Sequence, residues 1–415
     1  MRYVFLFLIL SPPAWAWQAP GQVRQRMAAN LASLPNYTCL ESIERTVRRP
    51  ASKKLLFHDR IHIEVAFIEA KEVFSWPGAA SFESDLLQKI PEAGVSGAGG
   101  FGGWTRALFG ESDPGFSRAG ECMAVDRRGL QFNFAVPIAS SSYAVEVGCG
   151  KAILPYAGSV CVDPGTLDIM LLEVHAEQIP APLAAMSETI HYGRSRIGGA
   201  DFLLPQDHDV TVTDLEGKEN RSLTRFTGCQ AYTSQSSITF DTARTEAPVP
   251  PPAKVEERRI PAGVSLDLKL ETPITFDESA VGDPITARLD RATNSSGGSI
   301  PKGAKVSGRI LGLEQYFEPE KSFLVILEFS SLTFGDKRAL FRAELTGPRL
   351  REDRHLETDG TATLTGMSAP ATPSTPSGLD IEDSAPGTGA FRVHEGRLHL
   401  GRGLRMIWKT QSEKP

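Results

Sequence analysis

The sequence has no excess of basic residues, no C-x-x-C motif and no apolar run of membrane-spanning length. Its 415 residues include 44 Lys and Arg against 50 Asp and Glu, which gives a formal net charge of -6. Nucleic-acid binders present clustered cations to phosphates, so this balance argues against nucleic acid as a partner. Without C-x-x-C spacing, the usual signals for structural zinc and thioredoxin-type redox sites are missing.

The longest apolar run is at the N-terminus, where Arg2 is followed by the stretch Tyr3–Leu10 and then by two prolines and Ala14-Trp15-Ala16. This pattern is typical of a secretory signal peptide over residues 1–16, cleaved before Trp17. A membrane-spanning helix needs about 18 or more consecutive apolar residues, and no later stretch supplies them. We therefore expect a periplasmic or secreted protein with no transmembrane segment in the mature chain.

The cysteine count is low and odd, at five. In an oxidising compartment cysteines pair by default, and one is then left over. We predict a disulfide between Cys149 and Cys161, which flank one predicted hairpin. We predict a second between Cys39 and Cys229, in the first and last strands of the N-terminal domain, and a free Cys122.

Proline-rich segments divide the chain. Residues 246–259 contain four prolines followed by a charged run, which predicts a stiff linker. The prolines of residues 368–378 predict an exposed, disordered loop spanning about residues 351–388. The expected domains are therefore residues 17–245 and 260–415.

Alternating apolar residues dominate both predicted domains and indicate strands separated by turns. The segment Leu130–Val136 alternates strictly, and Val264–Leu270 does the same after the linker. Helical spacing occurs in Gln22–Leu34 and within Ser81–Gly110, which contains two short apolar faces. We predict a mainly β protein, in which an antiparallel, curved half-barrel sheet with a helical lid precedes a smaller β-barrel domain.

The N-terminal region, residues 22–242, resembles the carrier proteins of lipoprotein sorting and their half-barrel relatives in bacterial envelopes. The resemblance lies in the opening Leu34–Cys39, the helical insertions after the first three strands and the late run Phe202–Pro205. In that family the sheet and its lid enclose an apolar cavity that holds acyl chains. The resemblance assigns lining and lid positions to five residues: Trp76, Phe101, Trp104, Leu108 and Phe109.

The C-terminal region distantly resembles the β-barrel domain of the outer core protein of type IV secretion systems. The similar segments are Ile260–Gly263 and Ile300–Gly308. This resemblance implies a compact β-barrel, and under our leading hypothesis we expect that barrel to serve as a docking module. The tandem of the two domains is similar to secreted proteins of soil bacteria.

Three motifs suggest cofactor or metal sites that their context disfavours. Gly97–Gly102 satisfies G-x-G-x-x-G, but a dinucleotide site needs a βαβ unit, so we predict a flexible hinge. His58 and His62 lie four residues apart without an identifiable third zinc ligand, which favours a solvated strand face. Asp207–Asp209 and Asp214–Glu219 lack calcium-loop spacing. We therefore expect no cofactor and no metal.

A hydrolase is the remaining enzymatic hypothesis. The chain has no G-x-S-x-G, so it would have to use paired carboxylates, which meet only in the folded protein. Four glutamates are candidates: Glu41, Glu44, Glu188 and Glu219.

The leading expectation is a non-catalytic envelope protein that binds an apolar ligand, such as a lipid or acyl chain, or a partner segment. The alternative is a structural or interaction protein of the envelope with the same fold and a filled core.

Overall fold

The structure, a computed structural model, describes most of the chain. The described residues are 20–68, 71–79, 81–82, 86, 90, 103–109, 114–147, 150–232, 256–295, 298–348, 379–394 and 396–412. The predicted signal peptide, the glycine-rich motif Gly97–Gly102, Phe101 and Cys149 lie outside them. Among the described residues, no helix has the length and apolar character that a membrane crossing requires.

The described residues form two helices of four or more residues and many strands, which confirms the predicted mainly β fold. The helices are α1 (Pro20–Ser33) and α2 (Gly103–Phe109), and one 3-10 turn covers Ile138–Ser140. The first strands are β1 (Tyr37–Arg48), β2 (Leu55–Ile68), β3 (Lys71–Ser75), β4 (Ser117–Ala124), β5 (Arg127–Val136), β6 (Ala144–Val147), β7 (Gly150–Ile153), β8 (Tyr156–Val162), β9 (Ile169–Ala176), β10 (Leu183–Ile197), β11 (Ala200–Asp214) and β12 (Glu219–Ala231). The later strands are β13 (Glu256–Arg259), β14 (Ser265–Leu270), β15 (Ile274–Thr275), β16 (Pro284–Leu289), β17 (Thr293–Ser295), β18 (Gly298–Ile300), β19 (Lys305–Tyr316), β20 (Ser322–Phe334), β21 (Lys337–Leu340), β22 (Ala343–Pro348), β23 (Leu379–Glu382), β24 (Gly389–His394), β25 (His399–Leu400) and β26 (Arg405–Thr410).

The chain divides into two compact units. The first contains Met1–Tyr37, Gly99–Gly217 and Cys229–Ala231. The second contains Thr38–Ala98, Lys218–Gly228 and Tyr232–Pro415. This division differs from the predicted one, because it groups β1 to β3 with the C-terminal strands.

The first unit is an antiparallel meander with helices on one face. Its strands pair in the order β4, β5, β8, β9, β10, β11, and the hairpin β6–β7 is inserted between β5 and β8. In β5 the alternation predicted from the sequence buries every second side chain, including Phe132 and Phe134. From α1, Val23 and Met27 pack into the same apolar layer because they lie four residues apart.

The first unit contains a disulfide that differs from the predicted one. Cys161 of β8 bonds to Cys122 of β4, so the predicted pair with Cys149 is wrong and Cys122 is not free. The bond passes over Gly129 of β5, where a Cβ atom would lie 2.8 Å from Cys161 Sγ. Two strands that are not neighbours can therefore be joined because the strand between them carries no side chain there.

The chain has a second disulfide. Cys39 and Cys229 are each disulfide-bonded, as the predicted long-range pair requires.

The second unit contains a ring of paired strands. Neighbouring strands pair in the order β24, β20, β19, β16, β14, β26, β22. The ring returns from β22 to β24 through a bond from Leu345 N to Thr388 O of 3.4 Å. Its interior is filled by apolar side chains, including Trp408 and Phe329, whose rings meet edge to face.

Strands β1 to β3 extend this second core. Asp59 of β2 lies opposite Glu314 of β19, and Ile43 and Ile61 belong to the same apolar cluster as the barrel interior. Residues 256–259 of the predicted linker form β13, which pairs in parallel with β21. Residues 379–382 of the predicted loop form β23, which pairs with β24. Proline content marks breaks in regular structure, but strand pairing decides which segments share a core.

Candidate functional site

The first unit buries a charged group in its apolar layer. Glu188 of β10 is 6% exposed and accepts three hydrogen bonds from side chains. Trp104 Nε1 of α2 donates at 2.6 Å, Tyr143 Oη at 2.5 Å and His208 Nε2 of β11 at 2.7 Å. Together with Tyr192, these residues are called the Glu188 cluster below.

Strand register places the members of the cluster on one face of the sheet. His208 lies opposite Ile190, so Glu188 and Tyr192 are its diagonal neighbours on β10. This register depends on a shift between His191 and Tyr192, where β11 has one extra residue. A bulge of this kind turns the side chains beyond it to the other face.

The extra residue is Gln206, which follows Pro205. Proline has no N–H to donate to a partner strand, and it occurs inside sheets mainly at edges and bulges. The side-chain amide of Gln206 donates to Ser195 Oγ at 3.1 Å. The bulge is therefore stabilised by its own residue, and it fixes the position of His208 beside Glu188.

Hydrogen bonding keeps Glu188 ionised. Burial raises its pKa, but the hydrogen bond and charge of His208 and the donors Tyr143 and Trp104 outweigh burial, so the pKa of Glu188 is lowered. Burial and the nearby Glu188 charge raise the pKa values of Tyr143 and Tyr192 above their ordinary range. The cluster is thus a carboxylate that accepts hydrogen bonds from an indole, a phenol and an imidazole.

Two polar atoms of the cluster have no hydrogen-bond partner among the described residues. They are His208 Nδ1 and Tyr192 Oη, and both are buried. Because ionised Glu188 only accepts, His208 Nε2 carries the shared proton and Nδ1 is the atom left over. An unsatisfied buried polar group costs about 1–3 kcal/mol, and such groups are uncommon in folded proteins.

Aromatic rings surround the cluster on the side of the helices. The ring of Trp104 lies 5.0 Å from Tyr143 and 5.2 Å from Tyr156, both edge to face. Phe109 of α2 stacks on Phe116 at 5.2 Å, and Phe116 contacts Phe134 of β5 at 5.7 Å. Apolar and aromatic side chains therefore make up most of the layer around the Glu188 cluster.

The structure brings three of the five predicted lining residues together. Trp104, Leu108 and Phe109 lie on α2 and are buried in the first unit's apolar layer. Trp76 belongs instead to the core of the second unit, where the Arg309 guanidinium lies 5.7 Å from its ring. Phe101 lies outside the described residues.

Helix α1 is attached to the sheet by a second buried carboxylate. Asp168 accepts hydrogen bonds from Arg26 at 3.0 Å and from Asn30 at 3.1 Å, both on α1. Arg194 of β10 donates to its other oxygen. Burial raises the pKa of Asp168, but these donors outweigh burial and lower it.

The four candidate catalytic glutamates have different partners. Glu188 is in the first unit, and the other three are in the second, each in a different environment. Glu44 accepts from His58 at 2.9 Å, and Glu219 pairs with Lys53 at 2.7 Å. Neither oxygen of the fully buried Glu41 has a partner among the described residues.

The histidines singled out in the sequence have separate partners. His62 contacts Asp283 at 2.7 Å, whereas His58 contacts Glu44. Over the described part of the chain, no group of three or more His, Cys, Asp or Glu side chains is arranged to hold a metal ion.

The sequence patterns predict Glu188 and Trp104 as separate candidates, and no local pattern connects them. His208, Tyr143 and Tyr192 are not among the predicted site residues. The signal that could have linked Glu188 to His208 is Pro205, which indicates a bulge in a strand that otherwise alternates.

Comparisons with solved structures give weak likenesses, among which are the following two. The chain is similar to a LolA superfamily protein of Nitrosomonas europaea, with a TM-score of 0.25, 8% identity and coverage of 52% of this chain and 94% of that one. It is also similar to a DUF1329 family protein of Desulfovibrio piger, with a TM-score of 0.24, 12% identity and coverage of 53% and 95%. No family model matches the sequence, and no curated protein is significantly similar to it.

Proposed function

We propose that the first unit is a non-catalytic binding module, located outside the cytoplasm, for an apolar ligand such as a lipid or acyl chain with a polar end. One observation carries this proposal. His208 Nδ1 and Tyr192 Oη lie buried and without a hydrogen-bond partner among the described residues, beside a mainly apolar layer of aromatic and aliphatic side chains. Binding sites for small ligands typically combine apolar walls with a few convergent polar groups.

The two atoms give the ligand's polar end a place to bind. A group that hydrogen-bonds both His208 Nδ1 and Tyr192 Oη would recover the free energy lost by their burial. The ligand's apolar part would contact the rings of Trp104 and Phe109 and gain about 25 cal/mol per Å² of buried surface. Polar recognition and apolar affinity would thus come from the same layer.

We propose that a ligand enters this layer when helix α1 moves. Helix α1 buries two side chains, Val23 and Met27, and donates hydrogen bonds from Arg26 and Asn30 to Asp168. We propose that α1 opens and that the sheet stays in place.

The chemistry of the cluster favours binding over catalysis. Glu188 accepts three hydrogen bonds from neighbouring side chains, and its pKa is lowered. It is therefore ionised at neutral pH and is a poor proton donor. A carboxylate-based hydrolase needs a second carboxyl nearby, one of the two with a raised pKa. The described carboxyls with raised pKa belong to the second unit.

An extracytoplasmic location is supported by covalent structure. The chain has two disulfides, one of them between Cys122 and Cys161. Disulfides form and persist in oxidising compartments and are rare in the cytosol.

The test is a titration of the purified full-length protein with a fluorescent fatty acid. We expect saturable binding that weakens about tenfold in Tyr192→Phe, the equivalent of roughly 1.4 kcal/mol. The matched control is Tyr232→Phe in the second unit, which should bind as the wild type does. Absence of binding, or equal binding by Tyr192→Phe, would contradict the proposal.

A second candidate is a structural or interaction protein with a filled core. The observation that favours it is the close packing of Trp104, Leu108 and Phe109 with protein side chains in the same layer. Under this alternative the fatty acid does not bind at all. Native mass spectrometry of protein purified from its own cells would then show no retained lipid.

A further inference from the structure

The outer face of the second unit's barrel carries four cations in one row. Lys269 of β14 lies directly opposite Arg405 of β26 on one side and Arg288 of β16 on the other, and Arg288 lies opposite Lys305 of β19. Directly opposite residues point to the same face of a sheet, and the strands are about 4.8 Å apart, so the row is about 14 Å long. We call these four residues the basic row.

The basic row faces solvent. Lys269, Arg288 and Lys305 are exposed and Arg405 is half-buried. Their neighbours along the strands, such as Leu268 and Val306, are fully buried in the barrel interior. The row is therefore a feature of the surface and not of the core.

Neighbouring carboxylates neutralise the row only in part. Three carboxylates lie beside it, and each pairs with an arginine: Asp290 with Arg405, Glu271 with Arg288, and Asp267 with Arg291. The two lysines of the row, Lys269 and Lys305, have no ion-pair partner among the described residues. Positive charge thus remains in excess on this face of a protein whose formal net charge is -6.

The four cations of the basic row do not stabilise the sheet that carries them. Like charges directly opposite one another on neighbouring strands destabilise a sheet. Each of the three contacts in the row is between two cations. A carboxylate at the position of Lys269 would convert two of these contacts into attractive ones.

A cavity adjoins the row. It has a volume of about 600 Å³, and its charged lining consists of Lys269, Arg288 and Arg402 together with Glu271, which pairs with Arg288. The hydroxyls of Thr272 and Thr286, which also line it, lie 2.9 Å apart. Cationic and hydroxyl groups in a concave surface are the donors that carboxylates and other anions prefer.

We propose that the basic row and this cavity bind an acidic polysaccharide, a linear chain that carries a carboxylate on each sugar unit. A peptide cannot add as a strand here, because β26, β14, β16 and β19 are each paired on both sides. An extended peptide also places side chains of one side about 7 Å apart, which does not match the row. Single-stranded nucleic acid binds through stacked aromatic side chains, and the row contains none.

The deciding variant is Lys269→Glu in the full-length protein. Calorimetric titration with polygalacturonate oligomers should show binding that weakens as salt is added, because the contacts are between exposed charges. Lys269→Glu should weaken binding roughly tenfold or more, since it removes one attractive charge and adds a repulsive one. The same variant should melt at a higher temperature than the wild type, because its carboxylate lies between two arginines.

The matched control is Lys151→Glu on β7 of the first unit, which makes the same change in net charge away from the row. It should bind polygalacturonate as the wild type does. Absence of binding, equal loss in both variants, or no effect of salt would overturn the proposal. Binding of phosphatidylglycerol vesicles, duplex DNA or polyglutamate through the row, without binding of polygalacturonate, would overturn it as well.

Discussion

The pKa values of buried carboxyl groups are shifted in opposite directions in the two units. In the first unit, the pKa values of Glu188 and Asp168 are lowered because hydrogen-bond donors outweigh burial. In the second unit, burial dominates and raises the pKa values of four carboxyls: Glu41, Asp59, Glu64 and Glu314. The number of donors at the carboxylate, more than the depth of burial, separates the two groups.

This difference has opposite consequences for stability as the pH changes. A carboxyl with a lowered pKa in the folded state stabilises above its unfolded pKa, and that stabilisation is lost as the pH falls through the folded value. A carboxyl with a raised pKa stabilises below its unfolded pKa, and that contribution is lost as the pH rises. As the pH falls, the contributions of Glu188 and Asp168 to the stability of the first unit should therefore decrease. The buried carboxyls of the second unit should become less destabilising, because their protonated form is the one that burial favours.

The largest expected effect comes from removing the carboxylate of the first unit. Glu188→Ala leaves Trp104, Tyr143 and His208 without their shared acceptor, and breaking a buried charged pair typically costs about 3–5 kcal/mol. We expect a loss of this size in the free energy of unfolding, measured by urea denaturation with hydrogen exchange of β10 and β11. Glu216→Ala, at an exposed turn, is the control. A loss below about 1 kcal/mol would show that the three donors find other partners.

The next comparison is between two tyrosines of the same cluster. Tyr143→Phe removes a hydrogen bond to a charged group and should cost about 1.5–3 kcal/mol. Tyr192→Phe removes a hydroxyl that has no partner among the described residues, so the free protein should lose nothing or gain slightly. Urea denaturation of both variants at neutral pH measures the difference. Equal losses would mean that Tyr192 Oη has a partner after all.

In the second unit, replacing the buried carboxyl of Glu41 should stabilise the folded protein. Glu41→Leu replaces an unpartnered buried acid by an apolar side chain of similar size, which should raise the free energy of unfolding by about 1–3 kcal/mol at neutral pH. Because the pKa of Glu41 is raised by burial and by nearby Glu72, the gain should grow as the pH rises above about 4.3. Denaturation at pH 4 and pH 8 tests this. A destabilised variant at both values would contradict it.

The smallest effect is expected at the attachment of α1. Asp168→Asn weakens bonds to Arg26 and Arg194, whose side chains are 40% and 39% exposed, so the loss should be only about 1 kcal/mol. Since the pKa of Asp168 is lowered, the difference from the wild type should begin to shrink as the pH falls below about 4 and should vanish below the folded-state pKa. Hydrogen exchange of α1 at pH 7 and pH 3 measures it. A difference that is as large at pH 3 as at pH 7 would argue against this attachment.

Local patterns in the sequence predicted local structure well. The helix expected at Gln22–Leu34 is α1 at Pro20–Ser33, and the strict alternation of Leu130–Val136 lies within β5. Both follow from side-chain periodicity, which depends only on nearby residues. The mainly β fold follows from the same periodicity repeated along the chain.

Long-range pairing could not be predicted in the same way. Proximity along the chain favoured Cys149 as the partner of Cys161, yet Cys122 meets Cys161 across a strand that has a glycine between them. Proline content suggested that β2 belongs to a separate N-terminal domain, yet β2 pairs with β19. Contacts of this kind depend on which strands become neighbours, and a single sequence does not encode that in any local pattern.

The candidate site shows which features follow from local sequence patterns and which depend on long-range strand pairing. The sequence by itself determined the turn at Gly198–Gly199, the alternation on either side of it and the presence of Glu188 and His208 on the two strands. With an unbroken two-residue hairpin, His208 would lie opposite Thr189 and point away from Glu188. Only the tertiary structure decided otherwise, because the bulge after Pro205 shifts the register by one residue and turns His208 onto the face of Glu188.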